Sequence, residues 1–558
     1  MTTNPAAGGA APSTRAARIV IGQLINHGVT DLVLAPGSRN APLSYAAHEA
    51  EDAGRLRVHV RIDERSAGFL ALGLARGSGR PVPVITTSGT AAGNLLPAAM
   101  EAFHSRIPLV LITADRPATM INSGANQTTD QLGLFGAHTR ADARISAPDG
   151  DPAAWGFAVT RLCAAATGLR GTTPGPVHLD VALVDPLTPG TADTTTAPGD
   201  VVATRIDPVI RPAEPVALPA VDGTVIVAGD LPPARGRHLA DLAATAQFPL
   251  LAEPSSNARH SATAIATYRL LLGTALGSDI RRVIMVGRPT LSRPVQRLLA
   301  AAHVEVVVVD PHPDWIDPGL HADRVVPGVT LEPAGTAWLR RWRTADRALI
   351  GLLADEPTMI NGRLHPLHLA RAVAAADPDQ LVVGSSNPVR DLDLVPFVGA
   401  TVVHANRGLA GIDGTNATAM GIALSQPDRS TWALLGDLTF LHDIGGLLVG
   451  AAEPVPAGLR IVVANDDGGS IFATLEHGAT PPPRRFERLF ATPHGADLSM
   501  LCRGYGVGHR LVTDHDQLQA ALAAVVEGIE VVEVAVDRAD RPAQAARWAT
   551  LAASAIAP

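Results

Sequence analysis

Two short acidic segments in the last third of the chain have residue types and spacing that could do chemistry together. Gly436-Asp437-Leu438 closes the apolar run TWALL, and Asn465-Asp466-Asp467-Gly468-Gly469 closes the apolar run LRIVVA. They lie about thirty residues apart with a helix-like stretch between them, so both can be strand ends on one edge of a parallel sheet. Carboxylate and amide oxygens gathered there suit Mg²⁺, which takes one or two carboxylates and completes its shell with phosphate oxygens. The glycines let the backbone approach a diphosphate closely. Either loop alone would be an ordinary Asp- and Gly-rich strand end. The pair at this spacing points to a metal-diphosphate site.

A second candidate lies in the N-terminal part. VRIDERSAGFLALGLAR runs from a short strand into a helix, with Glu64 at the junction. Alone, Glu64 is an ordinary acid at a helix N-terminus, where the helix dipole favours negative charge. Thr87-Ser88-Gly89-Thr90 closes the next apolar run. All 45 basic side chains are arginine and none is lysine. That excludes Schiff-base aldolase chemistry, pyridoxal-phosphate attachment and the P-loop lysine. Most of these arginines are solvated surface charges, worth little individually.

These residues need a scaffold. From Arg18, RIVIGQLINHGV has helical periodicity and DLVLAP reads as a short buried strand. VPVITTSG, AAGNLLPAAMEAF and PLVLITAD repeat the alternation as far as GPVHLDVAL. Strands alternating with helices imply a parallel sheet covered on both faces. The Pro-, Thr- and Ala-rich stretch from Val184 to Pro219 reads as a surface linker. A second α/β block carries TVIVAG, RRVIMVG and VEVVVVDP. A third, beyond Pro357, carries LVVGSS, ATVVHAN, TWALLGD, LRIVVAND and EVVEVAV. The expected organisation is α/β throughout. It has a flexible tail over 1–17, a first domain over 18–190, a linker and central Rossmann-like domain over 191–355, and a third domain over 356–558.

Composition sets the outer bounds. At 558 residues the chain exceeds a single core and suggests about three domains. Hydrophobic residues at 46% and charged residues at 18% describe a chain that folds. A formal net charge of −8 argues against bulk nucleic-acid binding. Cys163 and Cys502 lie far apart, which argues against a disulfide framework or a cysteine zinc site and fits a reducing compartment. The N-terminus lacks the apolar core of a signal peptide, and no stretch suits membrane insertion, so the expected location is cytoplasmic.

Eight segments carry a resemblance along nearly the whole chain: APGSRNAPL, DERSAGF, TTSGTAAGN, TADRP, GANQTTDQ, NRGLAGIDG, GDLTFLHD and NDDGGSIF. They resemble the 2-succinyl-5-enolpyruvyl-6-hydroxy-3-cyclohexene-1-carboxylate synthase family, thiamine-diphosphate enzymes of menaquinone biosynthesis. The two acidic loops are similar to the GDG…NN signature of thiamine-diphosphate enzymes. Leu438 stands in place of the last glycine and Asp466 in place of the usual asparagine.

The resemblance implies a pyrimidine-binding, a central and a diphosphate-binding domain. It implies a homodimer or dimer of dimers with active sites between subunits, and thiamine diphosphate with Mg²⁺ or Mn²⁺ as cofactors. Asp437, Asp466 and the carbonyl of Gly468 would hold the metal, and Gly436, Leu438, Gly469, Ser470 and Ile471 would surround the cofactor. Ile412 would be the apolar wedge that bends it. Glu64, near the Ser88-Gly89 loop, would be buried against the aminopyrimidine and share a proton with its N1′, in an apolar cleft that raises the carboxyl pKa.

Ser38, Arg39, Arg116, Asn126 and Gln127 would line the substrate cavity, with Phe472 and Leu475 bordering it. Ser386, Arg390 and Arg407 would contact carboxylates, with Ser386 reaching the cofactor as well. Arg39, Gln127, Arg390 and Arg407 would join Glu64 as catalytic groups. The implied reaction decarboxylates 2-oxoglutarate and adds its succinyl semialdehyde unit to isochorismate. Both substrates are dicarboxylates, which arginine binds through a planar fork.

Rival readings predict different sequences. An acetolactate synthase or benzoylformate-type decarboxylase would show a fuller GDG…NN pattern and would not need GANQ. A non-catalytic nucleotide-binding protein would lose Glu64 or the paired aspartates. An NAD-dependent oxidoreductase would need a G-x-G-x-x-G fingerprint, which neither VIVAGD nor VIMVGR supplies.

Overall fold

A computed structural model of the chain describes residues 10–190, 204–209, 214–479, 483–538 and 540–556. The expected tail up to residue 9, and most of the expected linker between 191 and 213, lie outside those residues. The chain divides into two compact units.

The first unit comprises Met1–Arg211 with Asp413–Pro427 and Asp443–Pro456. Its first helix, Pro12–Asn26, begins ahead of the expected start at Arg18 because Pro12 suits the first helical turn. Ser13 Oγ donates to Val184 O at 2.7 Å and accepts the Val184 N–H at 2.9 Å, which ties that end down. Six strands follow: β1 (Asp31–Leu34), β2 (Arg57–Val60), β3 (Val82–Thr86), β4 (Leu109–Asp115), β5 (Asp142–Ser146) and β6 (Val177–Ala182). They form one parallel sheet in the order β2-β1-β3-β4-β6-β5. β3, β4 and β6 are buried along their whole length, which is why they read as apolar runs.

Helix Glu64–Ser78 is set by its caps. Asp63 accepts the N–H groups of Arg65 and Ser66, and Gly79 ends the helix at φ 70°. It packs on helix Thr415–Ser425 with almost no side chain between the backbones. A Cβ on Gly73 would sit 2.2 Å from the Thr418 carbonyl oxygen, and one on Gly421 would sit 2.3 Å from that of Leu70. Asp443 clamps the contact, accepting the Ser66 hydroxyl at 3.2 Å and the Ala417 N–H at 2.8 Å.

The second unit comprises Pro212–Ile412, Asp428–His442 and Ala457–Pro558. It holds a five-stranded sheet of β7 (Thr224–Ala228), β8 (Leu250–Ala252), β9 (Arg282–Val286), β10 (Glu305–Val309) and β11 (Arg324–Val326), ordered β11-β10-β9-β7-β8. It also holds a six-stranded sheet of β12 (Gln380–Val383), β13 (Val402–His404), β14 (Thr431–Gly436), β15 (Gly458–Asn465), β16 (Gly508–Val512) and β17 (Gly528–Ala535), ordered β13-β12-β14-β15-β17-β16. Both are parallel, and one continuous apolar core joins them. In all three sheets the first strand lies between the second and the third. Each therefore has a switch point between its first and third strands, where a crevice opens at the carboxyl ends. Among the described residues no helix is long and apolar enough to cross a membrane.

Two stability predictions follow from the first unit. Gly73→Ala should lower the melting temperature, since overpacking against backbone costs about 1–3 kcal/mol. Gly351→Ala is the control: a Cβ there meets nothing within 4 Å, in helix Thr336–Ala354, so helix propensity should stabilise by up to about 1 kcal/mol. The second concerns charge. Asp180 accepts Thr113 Oγ1 and Gln131 Nε2 and shares Arg144 with Asp115. Burial pushes its carboxyl up to about 7, and Asp115 adds to that. A raised carboxyl stabilises the fold while protonated, and the contribution is lost as pH rises through about 7. The melting temperature of Asp180→Asn relative to the parent should therefore climb between about pH 4 and pH 7 and level off above. A flat difference would contradict the assignment.

Candidate active site

At the switch point of the six-stranded sheet lies a cavity of about 300 Å³. The segment after β12 contributes Ser386 and Arg390, and the segment after β13 contributes Arg407 and Ile412. Gly436, Asp437 and Leu438 come from the end of β14. Asp466, Gly468, Gly469, Ser470, Ile471 and Phe472 follow β15. The structure thus gathers nearly every expected residue of this unit around one space. Leu475 is the exception: it caps the turn Ser470–Thr474, donates to Phe472 O and stands outside the lining.

Neighbouring strands β14 and β15 pair with Gly436 opposite Ala464, so Asp437 and Asp466 project just past adjacent strand ends. Asp437 Oδ1 accepts the Leu438 N–H at 2.7 Å, and Oδ2 accepts the Gly468 N–H at 2.8 Å. His494 Nδ1 accepts the Ala496 N–H, which leaves the ring proton on Nε2, 3.1 Å from Asp437 Oδ2. Burial raises the Asp437 carboxyl against those hydrogen bonds. Burial pushes Asp466 up to about 7, and the Asp437 charge pushes the same way.

Two buried carboxylates that oppose each other's ionisation are a donor set that favours a cation. Among the described residues no three His, Cys, Asp or Glu side chains gather to hold a metal by themselves. A cation here would need backbone and phosphate oxygens beside the two aspartates. Gly468 fits that use: its φ is 143°, and a Cβ would lie 2.3 Å from Ala491 O. The residues present therefore suit a hard divalent cation carrying a diphosphate.

Two arginines line the same cavity. Arg407, 3% exposed, donates Nε and Nη2 to Thr290 Oγ1 at 3.2 and 2.7 Å and Nη1 to Ser385 Oγ at 3.4 Å. Arg390 donates to Ser386 O at 2.7 Å and to Leu291 O at 3.4 Å. Burial, then the neighbouring Arg407, lower Arg390 to about 10. Ser386 sits at φ 106°, a strained conformation for a residue with a side chain, and the Arg390 bond holds its carbonyl there.

In the first unit, the expected residues cluster at the carboxyl ends of β1, β3 and β4, again at the switch point. Arg116 donates to Ser88 Oγ at 2.8 Å and to Gln127 O at 2.7 Å. Burial lowers its pKa and the Arg39 charge adds to this. Arg39 donates to Leu183 O at 3.2 Å. Gln127, at φ 56°, reaches Ser88 O at 3.4 Å, and Gly89 gives its N–H to Gln131 at 2.8 Å. Ser38 and Asn126 lie exposed beside this group. Glu64 differs from expectation. It is half-buried at the first turn of its helix and accepts the Asn94 amide at 3.2 Å, not enclosed in an apolar cleft.

The structure adds residues that the motifs did not single out. Asn387 donates to Ser470 Oγ at 2.6 Å, Arg541 pairs both nitrogens with Asp391, and Thr290 carries Arg407. Gln131 closes the GANQTTDQ segment and could have been taken from it. Arg541 and His494 stand in no motif and gave no signal.

The family model "Thiamine pyrophosphate enzyme, N-terminal TPP binding domain" matches residues 14–134, and its C-terminal TPP binding counterpart matches 393–536. Three proteins named 2-succinyl-5-enolpyruvyl-6-hydroxy-3-cyclohexene-1-carboxylate synthase align along nearly the whole chain. The Nocardioides sp. protein is 48% identical, over 95% of this chain and 96% of its own. The Paenarthrobacter aurescens protein is 47% identical, over 98% and 97%. The Kineococcus radiotolerans protein is 46% identical, over 94% and 96%. With two thiamine modules matched and relatives this similar over this length, the chain belongs to the 2-succinyl-5-enolpyruvyl-6-hydroxy-3-cyclohexene-1-carboxylate synthase family of thiamine-diphosphate enzymes.

Proposed function

We propose that the enzyme decarboxylates 2-oxoglutarate and adds the resulting succinyl semialdehyde unit to isochorismate in a 1,4 fashion. The products are 2-succinyl-5-enolpyruvyl-6-hydroxy-3-cyclohexene-1-carboxylate and CO₂, in the cytoplasmic synthesis of menaquinone. The observation that carries this reading is one cavity lined by the buried carboxyls of Asp437 and Asp466 together with the guanidinium groups of Arg390 and Arg407. A cavity with carboxylates for a cation-diphosphate and arginines for carboxylates suits a thiamine enzyme acting on an anionic 2-oxo acid.

Thiamine diphosphate, when bound, supplies the electron sink that lets CO₂ leave. The chain's own residues do the rest. Asp437, Asp466 and the Gly468 carbonyl would hold Mg²⁺ or Mn²⁺. Gly436, Leu438, Gly469, Ser470 and Ile471 would bound the diphosphate, and Ile412 would press on the cofactor as an apolar wedge. Glu64 would exchange a proton with pyrimidine N1′, supported by the Ser88-Gly89 loop. Its half-buried setting within one chain fits an enclosure completed by a second subunit, in a homodimer or dimer of dimers. Arg390, Arg407 and Ser386 would orient carboxylates. Arg39, Arg116, Gln127, Ser38, Asn126 and Phe472 would bind the remaining substrate surface. Much of the rate would come from holding two anions in register, which can be worth several orders of magnitude.

The test is an assay on purified protein that follows loss of isochorismate absorbance. Loss should require 2-oxoglutarate, thiamine diphosphate and Mg²⁺ together. Glu64→Gln should lower kcat by about 10²–10⁴-fold with the melting temperature unchanged. Asp437→Ala should abolish cation-dependent binding of thiamine diphosphate in calorimetry. CO₂ release from pyruvate without any use of isochorismate would discard the substrate assignment. Near-normal turnover in Glu64→Gln would discard the role of that residue.

A further inference from the structure

Behind the arginine wall lies a buried acid with no place in the chemistry so far. Glu253 follows β8 and is 2% exposed. Its Oε1 accepts the Leu291 N–H at 2.7 Å. Leu291 and Thr290 are the two residues on which the arginines rest. Arg407 donates two bonds to Thr290 Oγ1, and Arg390 donates to Leu291 O. Leu291 thus gives its N–H to Glu253 and offers its carbonyl to Arg390. The acid reaches across from β8 to the turn after β9, and that turn sets where both guanidinium groups stand. Burial lowers the pKa of Arg390 and the Arg407 charge adds to it, so the two like charges depend for their separation on what anchors them.

We propose that Glu253 is a positioning residue for the 2-oxo acid: by anchoring the Thr290–Leu291 turn it fixes the separation of the Arg390 and Arg407 guanidinium groups and so favours a dicarboxylate. This rests on the reading of the cavity as the pocket for carboxylate substrates. Burial pushes the Glu253 carboxyl up to about 7, with the Arg407 charge opposing. Its hold on the turn therefore comes from the reach of an oxygen acceptor and needs no full negative charge. Glutamine preserves that reach. Aspartate preserves the acid and is one methylene too short.

The experiment compares Glu253→Gln and Glu253→Asp in full-length protein loaded with thiamine diphosphate and Mg²⁺. It reads KM and kcat for 2-oxoglutarate and the calorimetric affinity for glutarate, a dicarboxylate without the reactive ketone. Glu253→Asp should raise the 2-oxoglutarate KM and weaken glutarate by up to about tenfold, the worth of one well-made neutral hydrogen bond. Its kcat and its affinity for thiamine diphosphate should stay within about threefold, and Glu253→Gln should stay within about threefold in every constant. Should Glu253→Asp not fold, Thr290→Val removes the rest for Arg407 without touching the acid and should weaken the same two constants.

Three results would overturn the proposal: Gln losing as much as Asp, which would mean a role for the charge; no change in Asp or Thr290→Val; or an equal loss of thiamine diphosphate affinity, which would mean a general collapse. A parent protein that binds no glutarate would overturn it too. A parent that binds glutarate but leaves 2-oxoglutarate unconverted would count against the functional reading alone, since the glutarate comparison still decides the positioning.

Discussion

Two carboxylates, buried side by side at the ends of β14 and β15, set the terms for the six-stranded sheet. Burial raises both carboxyls, and for Asp466 the Asp437 charge adds to it, which destabilises the ionised state. The surrounding loops answer with N–H groups. Leu438, Gly468 and His494 all point donors at Asp437, and Asp466 takes a bond from Ser470. That arrangement requires a backbone turn that only glycine fits at Gly468, because Ala491 O occupies the space a side chain would need. The loop is shaped by the need to surround these two carboxyls with donors.

The same order of the first four strands serves three sheets and leaves two usable crevices. In the first unit and in the six-stranded sheet, the ends of the first and third strands carry the polar residues of the site. In the five-stranded sheet, the backbone itself fills the equivalent place. A Cβ on Gly229 would lie 2.0 Å from the Arg288 carbonyl carbon, one on Gly287 would lie 2.6 Å from Asp230 O, and Asp230 and Arg288 form an antiparallel bridge. The glycines that made VIVAGD and VIMVGR look like nucleotide turns are there for close backbone packing. Strand order makes a crevice available, and the residues at the strand ends decide whether it stays open.

What could be read from the sequence was whatever is local. Apolar runs marked the strands, and residues directly after them marked the crevice, so Asp437, Asp466, Ser386 and Arg407 were all within reach of motif reasoning. Helix Thr415–Ser425 was harder, since it is buried on every side and carries no amphipathic stripe. Contacts that cross from one strand end to another left no trace in sequence spacing. Glu253 meets Leu291, His494 meets Asp437, and Arg541 meets Asp391 across 38, 57 and 150 positions. Leu475 illustrates the opposite limit: it does not line this cavity. It follows the site in sequence, but the turn Ser470–Thr474 carries the chain away from the cavity before it arrives.

In a chain whose only basic side chains at neutral pH besides histidine are arginines, abundance cannot distinguish a binding arginine from a structural one, but partners can. Arg541 faces Asp391, Arg144 faces Asp115 and Asp180, Arg259 faces Asp393, and Arg460 faces Glu530. Their charge is matched inside the protein. Arg407 and Arg390 donate instead to Thr290, Ser385, Ser386 and Leu291 oxygens. Arg116 and Arg39 donate to Ser88, Gln127 and Leu183 oxygens. Hydroxyls and carbonyls fix a guanidinium in place without cancelling its charge, and in each pair the two positive groups lie close enough to lower one pKa. Holding like charges together costs stability, and neutral acceptors return little of it. A guanidinium held by hydroxyls and carbonyls has no carboxylate in direct contact, which is the physical difference from one locked in an ion pair that supports the fold.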